Sequence, residues 1–293
     1  AIQFLKEPQF AYDVIHVAGT NGKGSTVMYM KELAQAHNLK VGTFMSPGII
    51  DVHDQIQIDG KPITREQLAN VFKQLHESGL SGLCTDFELL TCAAFVHFRN
   101  EAVDIALIES GLGGRFDSTN VVQPKVSIIT SIALEHTNFL GDTITSIAEH
   151  KAGIMKQGAV AIIGLVDDEA RNVFEQEACT LGVTLERIDE DFKVVDGLYE
   201  DEAFRISVCP SMLGQHQLHN AALAIRAMGH VVSLQEELVK KAINKASLPF
   251  RFERITDSLY FDGAHNPASV DMLIQLIKQY WPNESVQFVV GML

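Results

Sequence analysis

VIHVAGTNGKGST, residues 14–26, decides the fold. Val14, Ile15 and Val17 read as a buried strand that runs straight into a turn carrying Gly19, Gly22, Gly24 and one lysine, Lys23. The stretch after it, from Ser25 to His37, reads as a helix. Strand, glycine loop and helix N-terminus in that order make an anion site: bare backbone N–H groups wrap a phosphate and the helix dipole favours its charge. The glycines let the backbone approach phosphate oxygens without a Cβ in the way. Lys23 would neutralise the terminal phosphates, and Ser25 or Thr26 would offer a hydroxyl to Mg²⁺. The loop is a variant, because Val17 stands where the standard pattern begins with glycine and Gly24 separates Lys23 from the hydroxyl. An ordinary strand-to-helix turn with a surface lysine is the alternative, and the strand and helix on either side argue against it.

The chain of 293 residues is long enough for a full core and more than one domain. With 46% hydrophobic and 20% charged residues it has the profile of a soluble globular protein. No apolar run approaches the ~20 residues that span a bilayer. The start, AIQFLKEPQF, shows no basic segment followed by an apolar one, so no secretory signal is expected. A net charge of −14 argues against non-specific nucleic-acid binding, and leaves any phosphate site to backbone dipoles, Lys23 and metal. Cys84, Cys92, Cys179 and Cys209 form no C-x-x-C pair, which suggests reduced thiols in a cytoplasmic protein.

Outward from the loop the pattern alternates. Strands are expected at Val14–Val17, Lys40–Phe44, Asp104–Glu109, Val126–Ser131, Ala159–Gly164 and Leu181–Leu185. Helices are expected at Arg65–Glu77, Phe87–Asn100, Ser146–Lys156 and Asp168–Thr180. Alternation of this kind predicts an α/β fold with a mostly parallel sheet, helices on both faces and a P-loop. Residues 192–213 break the rhythm and read as a small antiparallel pair, followed by helices at Gln217–His230 and near Gln235–Ala246. A domain boundary is expected at Ser247-Leu248-Pro249, between residues 1–247, which carry the phosphate loop, and 248–293. The second unit reads as strand Ser258–Asp262, helix Ala268–Tyr280 and strand Val286–Val290, the start of a smaller Rossmann-like α/β domain. Roughly 40 residues cannot bury a core alone, so this unit is expected to be truncated. No obligate interface is visible in the pattern, and a monomer is expected.

Three further segments carry chemistry. In DIALIESGLGGRFDSTN, residues 104–120, an apolar run ends on Glu109 and a glycine cluster. Ligands of open parallel sheets sit beyond the carboxyl ends of strands, which places Glu109 where a metal carboxylate belongs. A dinucleotide fingerprint starting at Gly111 fails at Phe116, and a solvated glutamate is the bland alternative. VSIITSIALEHTNFL, residues 126–140, repeats the design with Glu135 and His136 at a strand exit, while Ser46 exits another. Hydroxyls, one carboxylate and one imidazole suit Mg²⁺ or Mn²⁺ beside phosphates better than structural zinc. Lys151 on its predicted helix reads from the residues alone as solvated. Asn220 would hydrogen-bond a nucleotide or cap a helix, and Asp262 and His265 lie in a strand–turn–helix rim ending at Pro267.

Taken in order, GTNGKGS (19–25), Ser46-Pro47, FELLTCAAF (87–95), ESGLGGRFDSTNVV (109–122), LEHTNFLGDT (134–143), HKAGIMK (150–156), HQLHNAALA (216–224), RFE (251–253) and DGAHNP (262–267) resemble the Mur ligase superfamily, in its folylpolyglutamate synthase/dihydrofolate synthase branch. The resemblance spans nearly the whole chain. It departs from the branch at Gly48, Asp54-Gln55, Glu135, His150 and Phe250. The resemblance implies ATP-dependent addition of L-glutamate to a folate or dihydropteroate through an acyl phosphate. It assigns Gly22, Lys23, Gly24 and Ser25 to the ATP phosphates and Asn220, Arg251 and Asp262 to the nucleotide. It makes Ser25, Ser46, Glu109 and His136 the ligands of Mg²⁺, two ions in all. It matches Lys151 to a lysine that becomes carbamylated, reversing the solvated reading. Lys23, Lys151 and His136 would thus be the catalytic set. A cell-wall ligase of the same superfamily and a nucleotide-binding module without activity are the rival readings.

Overall fold

The computed structural model describes residues 1–80 and 82–291. Its centre is an eight-stranded sheet. The strands are β1 (Asp13–Ala18), β2 (Val41–Phe44), β3 (Ile56–Ile58), β4 (Lys61–Pro62), β5 (Ile105–Glu109), β6 (Val126–Ile129), β7 (Val160–Ile163) and β8 (Thr184–Arg187), in the spatial order 4-3-2-5-1-6-7-8. The pairs β2–β5, β5–β1, β1–β6, β6–β7 and β7–β8 are parallel; β3 and β4 add an antiparallel edge. Six parallel strands therefore point the same way, and their carboxyl ends share one rim.

Sheet burial follows from side-chain alternation. Along β5, Ile105 and Leu107 pack on one face with α1 (Lys23–Ala36), whereas Ala106 and Ile108 pack on the other beneath α2 (Arg65–Glu77) and α3 (Asp86–Asn100). Both faces are covered, so the strand reads as an unbroken apolar run. Capping boxes start the second and third helices: Thr64 with Gln67, and Thr85 with Glu88. A short α4 (Thr137–Leu140) follows β6, and α5 (Ile144–Ala152) and α6 (Asp168–Leu181) cover Ala18, Ile129, Ala161 and Ile163.

Several expected elements are corrected. The fifth helix stops at Ala152, not Lys156, with Gly153 as its cap. The sixth runs through Leu181, so the strand expected at Leu181–Leu185 starts only at Thr184, after Gly182 turns the chain at φ 64°. The antiparallel pair is three strands, β9 (Lys193–Val195), β10 (Leu198–Glu200) and β11 (Arg205–Ser207). Then come α7 (Gln215–Gly229) and α8 (Glu236–Lys245), both against the first helix side. The C-terminal stretch pairs β12 (Glu253–Arg254) with β13 (Tyr260–Phe261) in an antiparallel ribbon, and α9 (Pro267–Tyr280) follows. Residues 286–290 form no strand: they are exposed and, among the described residues, no neighbour pairs with them in a ladder. The chain's final expected residues, Met292 and Leu293, lie outside the described residues.

One buried polar network joins the small three-stranded sheet to the main one. Arg226 on α7 donates to both carboxylate oxygens of Glu186 on β8, at 2.7 and 2.8 Å, and to Asp201 at 3.4 Å. Burial pushes the Glu186 carboxyl up, but hydrogen bonds from His230 and Arg226 outweigh it and hold the group down to about 2. A depressed carboxylate contributes stability that is present above its ordinary 4.5 and lost as pH falls toward 2. Arg226→Met leaves Glu186 and Asp201 buried without their cation, and is expected to cost about 3–5 kcal/mol in urea unfolding at neutral pH. That deficit should shrink as pH falls below 4.5, because the wild type loses the same term. A loss under ~1 kcal/mol would mean that the pair is no better than a surface bridge.

Candidate active site

The phosphate loop is held in shape before any ligand arrives. Gly22 caps α1 at φ 89° with no side chain, so the first-turn N–H groups are free of a side-chain cap. A Cβ on Gly22 would lie 2.4 Å from Asn220 Oδ1, which fixes that position as glycine and sets Asn220 against the loop. Gly19, at φ 149°, leaves no room for a Cβ beside Thr130 Oγ1. Thr130 and Ser131, just beyond β6, accept from and donate to the loop backbone at Asn21. Lys23 folds back, its Nζ donating to the carbonyls of Gly19 (2.9 Å) and Thr20 (3.2 Å).

Around that ammonium the rim gathers charge. Glu109 ends β5 opposite Val17 of β1, and one oxygen would be 3.6 Å from a Cβ on Gly24. Burial pushes its carboxyl up to about 7 against the pull of Lys23 and Arg251 and a hydrogen bond from the Ser46 N–H. Glu109 makes no ion pair among the described residues. Ser46 lies two residues past Phe44, which sits opposite Ile108 in β5. Ser25 is buried, and its Oγ accepts from Gln217 Nε2 at 3.4 Å.

Lys151 is not solvated: it is 1% exposed, and its Nζ donates to Glu135 Oε1 at 2.7 Å. Burial and the nearby charge of Lys23 lower its pKa to about 8, with Glu135 opposing. Glu135 is in turn held down, since Lys151, Lys23 and Thr20 outweigh its own burial. The glycine cluster after Glu109 explains how Lys151 comes so close: a Cβ on Gly114 would be 2.9 Å from the His150 carbonyl, and one on Gly111 would strike Phe87. Those glycines serve packing against α5 and Phe87, not dinucleotide binding.

A family model described as the Mur ligase middle domain fits residues 17–228. The dihydrofolate synthase/folylpolyglutamate synthase of Bacillus subtilis is 35% identical over 97% of this chain and 72% of its own. The chain belongs to the Mur ligase family, in its folylpolyglutamate synthase/dihydrofolate synthase branch. The folylpolyglutamate synthase of Lacticaseibacillus casei is likewise 35% identical, over 99% of this chain and 73% of its own. A solved FPGS–AMPPCP–folate complex superposes with a TM-score of 0.89 at 35% identity, covering 96% of this chain and 74% of that one.

Against the Mur ligase frame, the structure brings together Lys23, Gly24, Ser25, Ser46, Glu109 and Asn220, and places Lys151 within reach of the Lys23 charge. Arg251 is close enough for Glu109 to feel it, although its Nη1 also donates to the Phe250 carbonyl. Asp262 is exposed and uses its two oxygens on the N–H groups of Phe252 and Ala264, both at 2.8 Å, so it shapes its own turn. His265 holds the Gly263 carbonyl through Nδ1 at 2.8 Å and donates its backbone N–H to Ser269 Oγ at 3.1 Å. His136 follows Glu135 in the left-handed conformation, φ 47°, and its imidazole is exposed with no hydrogen-bond partner among the described residues. Sequence reading missed Gln217, which bridges Ser25 and Asn220 with its two amide ends. The signal was available: Gln217 is three residues before Asn220, hence on the same helix face.

Proposed function

We propose that this chain is an ATP-dependent ligase that joins L-glutamate to a folate carboxylate, with dihydropteroate as a second acceptor. The observation that carries the reading is the convergence of an uncapped glycine loop, Lys23 and the buried Glu109 at one sheet rim. The boundary near residue 247 then separates the nucleotide-binding unit from the segment that supplies Arg251 and Asp262.

ATP transfers its γ-phosphoryl group to the acceptor carboxylate, giving an acyl phosphate and ADP. The glutamate amine attacks the acyl carbon, and phosphate leaves from the tetrahedral intermediate. Two anions must meet for the first step, so the protein's task is to offset their repulsion. The free N–H groups at the start of α1 and Lys23 do so with donors already in place. Arg251 adds a second cation from the other side and helps exclude the water that would hydrolyse the acyl phosphate.

The residues fit a divalent cation. A buried carboxylate whose surroundings raise it to about 7, with one backbone donor, is relieved by a metal. Among the described residues no three His, Cys, Asp or Glu side chains cluster; the donors at the rim would be Glu109 and the hydroxyls of Ser25 and Ser46 beside phosphate oxygens, with the exposed His136 a ligand on the strength of the family resemblance alone. Mg²⁺ there, as one or two ions, would supply positive charge to the phosphoryl oxygens. Lys151 fits carbamylation, since it is buried and its lowered pKa leaves neutral amine to react with CO₂.

For the acceptor, a cleft of about 370 Å³ opens between the start of α3 and α5, lined by Phe87, Leu112, Phe116 and Phe139 together with Glu88, Asp117 and His150. Exposed aromatic faces flanked by carboxylates suit a flat heterocycle with N–H donors. The decisive experiment is ligation of labelled glutamate, run separately with dihydropteroate and tetrahydrofolate. Glutamate incorporation that requires ATP and Mg²⁺ is expected. Phe116→Ala should raise the acceptor KM roughly tenfold, as one aromatic contact is worth ~1–1.5 kcal/mol, and leave the ATP KM alone. Absence of incorporation with both acceptors would sink the reading.

A further inference from the structure

Asn21 sits inside the phosphate loop, yet its side chain turns away from it. Its N–H donates to Ser131 Oγ at 3.0 Å, and its carbonyl accepts from Thr130 Oγ1 at 2.6 Å and Ser131 Oγ at 3.0 Å. With the backbone clamped, the amide reaches Asn266 at the start of α9. Asn266 Nδ2 donates to Asn21 Oδ1 at 3.0 Å, and Asn21 Nδ2 donates back to Asn266 Oδ1 at 3.3 Å.

Asn266 is equally constrained. Its Oδ1 accepts the Ser269 N–H at 2.9 Å as the N-cap of α9, and its own N–H donates to Ser269 Oγ at 3.1 Å. With that oxygen turned toward the helix, Nδ2 must face Asn21. Four residues upstream, Asp262 accepts the Phe252 N–H, and Phe252 adjoins Arg251, whose charge Glu109 feels. One run of hydrogen bonds and short covalent links thus connects the loop to Arg251.

We propose that Asn21 and Asn266 are positioning residues whose reciprocal amide pair sets Arg251 and Asp262 against the nucleotide according to the conformation of the phosphate loop. Its part in turnover rests on the ligase reading above; its part in nucleotide binding does not. A primary amide is the side chain that donates and accepts in one plane, so this two-way bond has no substitute among shorter polar residues.

The test separates bridging from capping. Asn266→Ser keeps the α9 cap, because serine caps as well as asparagine, but it cannot reach Asn21. Asn21→Ser retains the backbone clamp and removes the same bridge from the other side. In the full chain, AMPPCP dissociation constants, kcat, the KM values for ATP and glutamate, and Tm are measured for both variants and the double variant. Each single change is expected to weaken AMPPCP binding by about tenfold, the equivalent of two partly exposed hydrogen bonds. Tm and glutamate KM should stay at wild-type values. The double variant should be no worse than either single one, since the same bridge is lost once. Wild-type AMPPCP affinity in both singles, or additive losses in the double, would overturn the pair. Asn266→Ala is the contrast: it loses the cap as well, and its Tm should fall. If the wild-type chain ligates no glutamate, the ligase reading fails while the AMPPCP cycle still decides the amide pair.

Discussion

Lys23→Ala is expected to lower the rate of glutamate ligation by at least ~10³-fold while leaving the fold intact, since one preorganised donor to a developing anion is worth ~10²–10³ and Lys23 also carries full charge. Among the described residues its Nζ hydrogen-bonds just the carbonyls of Gly19 and Thr20, so little packing depends on it. Its charge is another matter. Glu109, Glu135 and Lys151 all respond to it, two carboxylates being drawn down and one ammonium pushed toward neutrality. Without Lys23 the acceptor carboxylate and the γ-phosphoryl group would meet beside a Glu109 left with Arg251 as its remaining protein cation. Single-turnover ADP formation with saturating nucleotide reads the chemical step directly, and circular dichroism checks the fold. Ligation at the wild-type rate would remove Lys23 from the mechanism.

How much of this was legible follows from where the information lies. Strand ends are marked by composition: apolar runs stop at Ala18, Glu109 and Ile129, and the parallel topology then forces their exits to one rim. That logic placed Glu109, Ser46 and the loop correctly relative to the sheet. The antiparallel edge escaped notice although its signal was present. Asp59-Gly60, at φ 53° and 77°, is the two-residue hairpin turn in which both central residues have positive φ. Lys151 was misjudged from residue type. Its neighbours Ile147, Ala148 and Ala152 are buried, and a residue four after one and three after another shares their face. The Asn21–Asn266 bridge had no local trace, because its partners are 245 residues apart and neither looks unusual in its own segment.

Lys151→Ala bears on the same cluster and should cost at least ~100-fold in ligation, with partial recovery on adding formate or acetate. Carbamylation joins CO₂ to the neutral amine, releases a proton and turns a cation into a carboxylate, so a small carboxylate in the vacated space restores the charge that was lost. Glu135, 2.7 Å from Nζ, would then face an anion rather than its ion-pair partner, a pairing that is tolerable only with a cation between them. The pH dependence separates this from a purely structural lysine. The folded-state pKa is lowered from 10.5 to about 8, so the unfolded chain binds more protons between those values and wild-type stability rises with pH across that window. Lys151→Ala should abolish that rise. Activity at fixed CO₂ should fall as pH drops through about 8 in the wild type, as the amine protonates and ceases to be a nucleophile. A variant as active as wild type without added carboxylate would leave Lys151 as a partner of Glu135 alone.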